Sequence, residues 1–304
     1  MRNLLRKKKL NNDTAYVPIS EILKNTNYSV PQNFETINSS VEGTVEHITY
    51  PSTAIVEGRT IYRKAYVILP KGYDESKKYP VVYMNHGIFG NETTMYGCHV
   101  QNVLWNAIAN GDAEEMILVF PNGCANESGK DNGLGFNTEH YKAYNNFLND
   151  FEQCLKPYID EHYSTLTDRA NTAICGFSMG GRVSLHLGFT LQDTFRYVGA
   201  FCPAPGIFDY TDQGVTDVGL FTKESFTLKD KYMDDTFVMI IKGINDGMVH
   251  KFPKDYHDAL TDNGVPHMYY ETMGGYNETG NGDHGDDVFK FGFYNFVSRI
   301  FKVQ

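Results

Sequence analysis

The sequence predicts an α/β fold: a mostly parallel central sheet with helices on both faces. Two observations carry this. Short apolar runs alternate with stretches of helical spacing from residue 79 to the C-terminus, which is the pattern of repeated strand–helix–strand units. Four of the loops that follow apolar runs carry reactive side chains, and sheets of this kind gather such loops at the carboxyl ends of their strands.

Taken in order, residues 1–40 are polar and Asn-rich without sustained periodicity. They read as a basic tail, with Lys7-Lys8-Lys9 as a solvated run, followed by a segment draped over the domain. Residues 41–304 read as one domain, with neither an internal repeat nor an inter-domain linker. Residues 44–50 and 64–69 predict an antiparallel pair, with Arg59 near the turn. Residues 79–85 predict a buried strand running into His86-Gly87, and 99–109 a helix stopped by Gly111. Residues 116–120 predict a strand, 124–138 a long loop, and 139–163 one long amphipathic helix. A strand at 197–201 ends in Cys202-Pro203-Ala204-Pro205. Residues 206–235 read as irregular chain capping a site. A strand at 236–242 leads to Gly243-Ile244-Asn245-Asp246, a helix spans 251–262, and a strand spans 267–271. A glycine-rich loop over 273–283 precedes the closing helix at 287–302.

The bulk properties bound the function. The chain has 304 residues, 41% of them apolar, enough for a sizeable core. Its formal net charge of −10 argues against nucleic acid or an anionic membrane as partner. The five cysteines (Cys98, Cys124, Cys154, Cys175 and Cys202) are widely spaced and form no CxxC pair. They give no support for a zinc or redox site, and Cys175 and Cys202 read as buried apolar residues. No metal-ligand spacing or phosphate loop stands out, so neither metal nor cofactor is expected. The N-terminus lacks the apolar core of a signal peptide, and no stretch is long enough to span a membrane. If the natural product is exported, its signal was removed or lies outside this sequence.

The chemistry centres on residues 172–187. A short apolar strand runs into Gly176-Phe177-Ser178-Met179-Gly180 and then into a helix. Gly-x-Ser-x-Gly in that setting is the nucleophile elbow of the α/β-hydrolase fold. Glycines flank the serine because the turn is sharp and the chain passes close to itself. Serine needs a base to act as a nucleophile at neutral pH. In this fold the partners follow in the order serine, acid, histidine. His284 lies after the last strand and before the closing helix, where the base belongs, and His250 is held in reserve. His257 falls mid-helix and His267 at the wrong end of a strand. Asp246 follows the penultimate strand and suits the acid, although Asn-Asp-Gly is also an ordinary turn sequence. Asp283, Asp286 and Asp287 are too near His284 along the chain. The backbone N–H groups of Met179 and Ile88 are expected to form an oxyanion hole, and His86 reads as a loop-ordering histidine.

The chain from about residue 44 onward resembles carbohydrate esterase family 1. The likeness lies in Asn85-His86-Gly87-Ile88-Phe89-Gly90, Thr167-Asp168-Arg169, Gly176 to Gly181, Ala204-Pro205, Gly243 to Asp246, and Gly274-Gly275 ahead of a histidine loop. One departure is that residues 276–283 separate the glycine pair from His284. The S-formylglutathione hydrolases and mycobacterial mycolyltransferases share the fold and the elbow. The resemblance implies a secreted or cell-associated Ser178–His284–Asp246 esterase that releases hydroxycinnamoyl groups from plant xylan. An acetyl xylan esterase is the alternative, and a non-catalytic carbohydrate-binding relative a further one. A planar phenolic acyl group needs a flat apolar slot beside Ser178, and Ile88, Phe89, Leu134, Phe136, Pro203 and Pro205 are the side chains expected to form it.

Overall fold

A computed structural model describes residues 15–130 and 135–304. In chain order it comprises α1 (Ile19–Lys24), β1 (Thr44–Val56), β2 (Arg59–Leu69), β3 (Val81–Asn85), α2 (Thr94–Gly97), α3 (Val100–Asn110), β4 (Ile117–Pro121) and α4 (Thr138–Asp150). These are followed by α5 (Lys156–His162), β5 (Thr172–Phe177), α6 (Met179–Thr190), β6 (Tyr197–Phe201), β7 (Tyr210–Asp212), β8 (Val215–Asp217), β9 (Phe237–Gly243), α7 (Phe252–Asp262), β10 (Met268–Thr272) and α8 (Asp286–Val297).

Eight strands form one sheet in the order β1-β2-β4-β3-β5-β6-β9-β10. Strand β2 pairs antiparallel with both β1 and β4, and the remaining pairings are parallel. The parallel strands are buried on both faces, so they read as continuous apolar runs. In β9, Val238 and Ile240 join the core on one face while Phe237, Met239 and Ile241 join the core on the other. The first core lies under α4, α6 and α7, and the second under α1, α3 and α8. From β3 the chain crosses to β4 on one side and later returns to β5 on the other. The carboxyl ends of β3 and β5 therefore flank the switch point at which open α/β sheets form their binding crevice.

Two stretches differ from expectation. The helix predicted over 139–163 is broken by a wide, π-type turn at Phe151–Leu155. Pro157 supplies the reason, because it cannot donate to the preceding turn and its ring crowds the carbonyl four residues back. The segment 206–235 contains a β-hairpin. Its strands β7 and β8 are joined by Gln213 (φ 47°) and Gly214 (φ 81°), the two positive-φ residues of a type I′ turn.

Residues 15–40 take part in the core. Ile19, Ile22, Val30 and Phe34 are buried beside α3 and α8. Arg299 donates to the carbonyls of Asn25 and Asn27, and the Asn295 amide donates to that of Tyr28 at 3.0 Å. Among the described residues, no helix is long and apolar enough to cross a membrane.

The sheet edge beside the crevice is fastened by a buried ion pair. Arg63 of β2 donates to Asp150 of α4 at 2.9 Å, Tyr50 donates to the same carboxylate at 2.6 Å, and Arg63 also holds the carbonyls of Asn122 and Cys124. Removing one partner of such a pair strands a buried charge, at a cost of roughly 3–5 kcal/mol. Asp150→Ala is expected to lower stability by about that amount, read as a drop in the midpoint of guanidinium unfolding. A midpoint equal to wild type would show that the pair contributes no net stability.

Candidate active site

The site is built on the turn between β5 and α6. Ser178 has φ 56° and ψ −119°, a backbone conformation that L-residues seldom adopt. The turn fits only because its neighbours lack side chains. A Cβ on Gly176 would lie 2.4 Å from the Gly180 backbone, and one on Gly180 would lie 2.2 Å from the Asn85 carbonyl oxygen. The amide of Ser178 donates to the Phe201 carbonyl at 2.9 Å, and its own carbonyl accepts from Ala204 and Arg182, each at 3.0 Å. The strained serine is thus tied to the end of β6 as well as to its own helix.

His284 Nε2 lies 2.8 Å from Ser178 Oγ, and His284 Nδ1 lies 2.7 Å from Asp246 Oδ2. Asp246 is buried, and its Oδ1 accepts from the amides of Met248 (2.9 Å) and Val249 (3.2 Å). Burial resists ionisation of this carboxyl, but the hydrogen bond and charge of His284, with the Val249 amide and the Cys202 thiol, outweigh it and lower its pKa. An ionised carboxylate only accepts hydrogen bonds, so Nδ1 carries the imidazole proton and Nε2 accepts from the serine hydroxyl. A sulfur, a carboxylate oxygen and an imidazole nitrogen from Cys202, Asp246 and His284 lie within 4.8 Å of one another. The hydrogen bonds among these three groups commit them to one another.

The reserve histidine, His250, is exposed and stands outside this chain. The inserted residues 276–283 do not displace His284. Glu278 accepts from Thr272 Oγ1 and the Met273 amide, and Asn245 binds the backbone of both Gly282 and Asn281. The loop that precedes His284 is therefore fastened to the loop that carries Asp246. Phe177 packs on the His284 ring at a centroid distance of 4.6 Å.

Ser178 opens into a cavity of about 220 Å³. Its lining includes Ile88 and Met179, together with Phe89, Phe136 and Pro205 of the expected slot. Phe89 and Phe136 meet edge to face at 5.3 Å. Pro203 does not line it. That residue is buried, and its Cα would stand 3.0 Å from a Cβ on Gly181, so it packs the elbow helix instead. Leu134 lies outside the described residues. Sequence reasoning missed Tyr141 of α4, Gln213 and Val215 of the hairpin, and Met248 near Asp246. The hairpin had a legible signal, since Tyr210 to Asp217 alternates around Gln213-Gly214. His86 behaves as expected: Nδ1 donates to the Gly87 carbonyl at 2.7 Å and Nε2 accepts from the Gly123 amide at 2.9 Å.

The strand order, the elbow and the three hydrogen-bonded side chains define an α/β-hydrolase. The profile of the Esterase family, described as "Putative esterase", matches residues 61–292. A solved CE1 ferulic acid esterase from Anaeromyces mucronatus, in complex with ferulic acid, is similar at 37% identity and a TM-score of 0.76, over 90% of this chain and 97% of that one. The chain belongs to the esterase family, and within it to carbohydrate esterase family 1. Two curated relatives match about half of it. Endo-1,4-β-xylanase Y of Acetivibrio thermocellus is 33% identical over 47% of this chain and 13% of its own length. An endo-1,4-β-xylanase/feruloyl esterase of Xylanibacter ruminicola is 30% identical over 52% of this chain and 21% of its own length. This chain therefore spans about an eighth to a fifth of those longer proteins.

The elbow's close packing yields a test of its own. Gly180→Ala forces a Cβ onto the Asn85 carbonyl, which is backbone and cannot turn aside. The variant is expected to lose several degrees of melting temperature and most of its reactivity toward a fluorophosphonate probe. Wild-type values for both would show that the turn tolerates the methyl group.

Proposed function

We propose that this protein is a serine esterase that cleaves hydroxycinnamoyl esters of plant xylan through an acyl-enzyme. The observation that carries the reading is the Ser178–His284–Asp246 chain of hydrogen bonds at the floor of an apolar cavity. The similarity to a ferulic acid esterase, and to relatives whose names join xylanase with feruloyl esterase, supports the substrate class.

In this mechanism Ser178 Oγ attacks the ester carbonyl carbon while its proton passes to His284 Nε2. Asp246 holds the ring and stabilises the imidazolium. The carbonyl oxygen becomes an oxyanion, which the backbone N–H groups of Met179 and Ile88 stabilise. Met179 opens α6, and the first amides of a helix have no acceptor within it. Collapse breaks the bond to the alcohol oxygen, which takes the proton from Nε2 and leaves. Water, deprotonated by the same histidine, then releases the acid and restores Ser178. The cavity walls of Phe89, Phe136, Tyr141 and Met248 suit a flat phenyl-propenoyl group, and burying it supplies the affinity.

Ser178→Ala and His284→Ala are each expected to reduce kcat on the order of 10⁴–10⁶-fold with the fold retained, because the pair acts as a unit. Asp246→Asn is expected to cost about 10⁴-fold, and His250→Ala to stay near wild type. A fluorophosphonate should label Ser178 alone. More than a tenth of the wild-type rate in Ser178→Ala would overturn the assignment.

The acyl preference is read from kcat/KM on methyl ferulate, methyl p-coumarate and naphthyl acetate. Each methylene in an apolar pocket contributes only about 1–3 kcal/mol of discrimination, so some acetate turnover is expected alongside the main activity on the two cinnamates. Robust acetate turnover with no ferulate release would instead identify an acetyl esterase.

A further inference from the structure

A second cavity, of about 500 Å³, lies at the same edge of the sheet. It is bounded by residues 61–64 of β2, the turn at 89–92, Asn122 and residues 127–130, and it shares the Phe89 ring with the cavity above Ser178. The two spaces differ in character. The first is walled mainly by aromatic and aliphatic side chains, whereas the second is lined by Tyr62, Lys64, Asn91, Glu92, Asn122 and Glu127 among others. Tyr62 is 76% exposed and Phe89 is 49% exposed. Phe89 also holds a left-handed backbone conformation, φ 66°, that places it between the two spaces.

An ester has two halves, and the apolar cavity has the chemistry for only one. We infer that the second cavity is the subsite for the alcohol half of the substrate, an uncharged pentose oligosaccharide lying across Tyr62. This inference rests on the ester-hydrolase reading above. Arg59 pairs with Glu127, Arg63 with Asp150, and His47 with Glu92, which leaves Lys64 and Lys130 as the lysines of the lining. With the other charges matched, two lysines on a chain at a net −10 offer a polyanion little. A neutral sugar gains in two ways. Its C–H face covers an aromatic ring otherwise left in water, and its hydroxyls meet amide and carboxylate acceptors at the rim. The Asn122 side chain donates to the Gly129 carbonyl at 2.6 Å and accepts from the Cys124 amide at 3.0 Å, which fixes that part of the wall. Such a preformed wall lowers the ordering cost of binding.

The test uses Tyr62→Ala and Tyr62→Trp in the full chain. Tyr62 is a surface residue, so both variants should fold. For a feruloylated arabinoxylo-oligosaccharide, Tyr62→Ala is expected to raise KM about tenfold with kcat unchanged, Tyr62→Trp to restore it, and methyl ferulate to be hydrolysed at the wild-type rate by all three. In parallel, unesterified xylotetraose is titrated into Ser178→Ala and Ser178→Ala/Tyr62→Ala by NMR. The single variant should bind, with shifts at Tyr62 and Asn91, and the double variant should bind about tenfold more weakly. Equal xylotetraose binding by both, or equal losses on the glycan and methyl esters, would overturn the subsite. A wild-type enzyme inert toward every ferulate ester would remove the acyl reading instead, and the titration would still decide the subsite.

Discussion

One close approach governs the site: the backbone of β5 and α6 passing against the end of β3 at Gly176 and Gly180. Van der Waals contact there leaves no room for a single methyl group, and it holds Ser178 at a positive φ that an unsupported chain would leave. The strain is confined because the serine's amide and carbonyl are both bonded into neighbouring strands and helix. A side chain fixed in this way needs no reorganisation before it meets a substrate, and fixed geometry is a large part of what an enzyme supplies.

His284 and Asp246 are held by a different device. Asp246 is buried and would be reluctant to ionise, yet two backbone amides, a thiol and the imidazole converge on its oxygens. Its charge is thereby kept in a place where water cannot dilute its effect on His284. Through Asn245 the same loop grips the segment leading to the histidine. Asp246 and His284 are thus mounted on one bracket, and Phe177 packs on the imidazole from the serine side.

How much of this was legible depended on how local each signal was. The elbow is encoded in five consecutive residues, so its strand, turn and helix could be read directly. The pairing of Asp246 and His284 with Ser178 was legible because their positions after β9 and β10 follow from chain order. Pro203 was misplaced because sequence shows that a proline follows β6 but not which way the chain turns; it turns inward, onto Gly181. Tyr141 and Met248 went unseen because the cavity wall is assembled from elements more than 100 residues apart. The break at Phe151–Leu155 was signalled by Pro157, but the amphipathic pattern running through it was the stronger cue. The hairpin was hidden in a segment whose overall composition reads as irregular, although its turn residues were distinctive.

The strap formed by residues 15–40 bears on modularity. Its apolar side chains complete the core beside α8, and its carbonyls satisfy Arg299 and Asn295 from the far end of the chain. Two segments more than 250 residues apart are therefore stitched together on the face away from the elbow. A graft of this catalytic unit onto another scaffold has to carry the strap with it. A junction placed where the sheet begins, at residue 44, would sever the stitch and open an apolar seam on the transplanted domain.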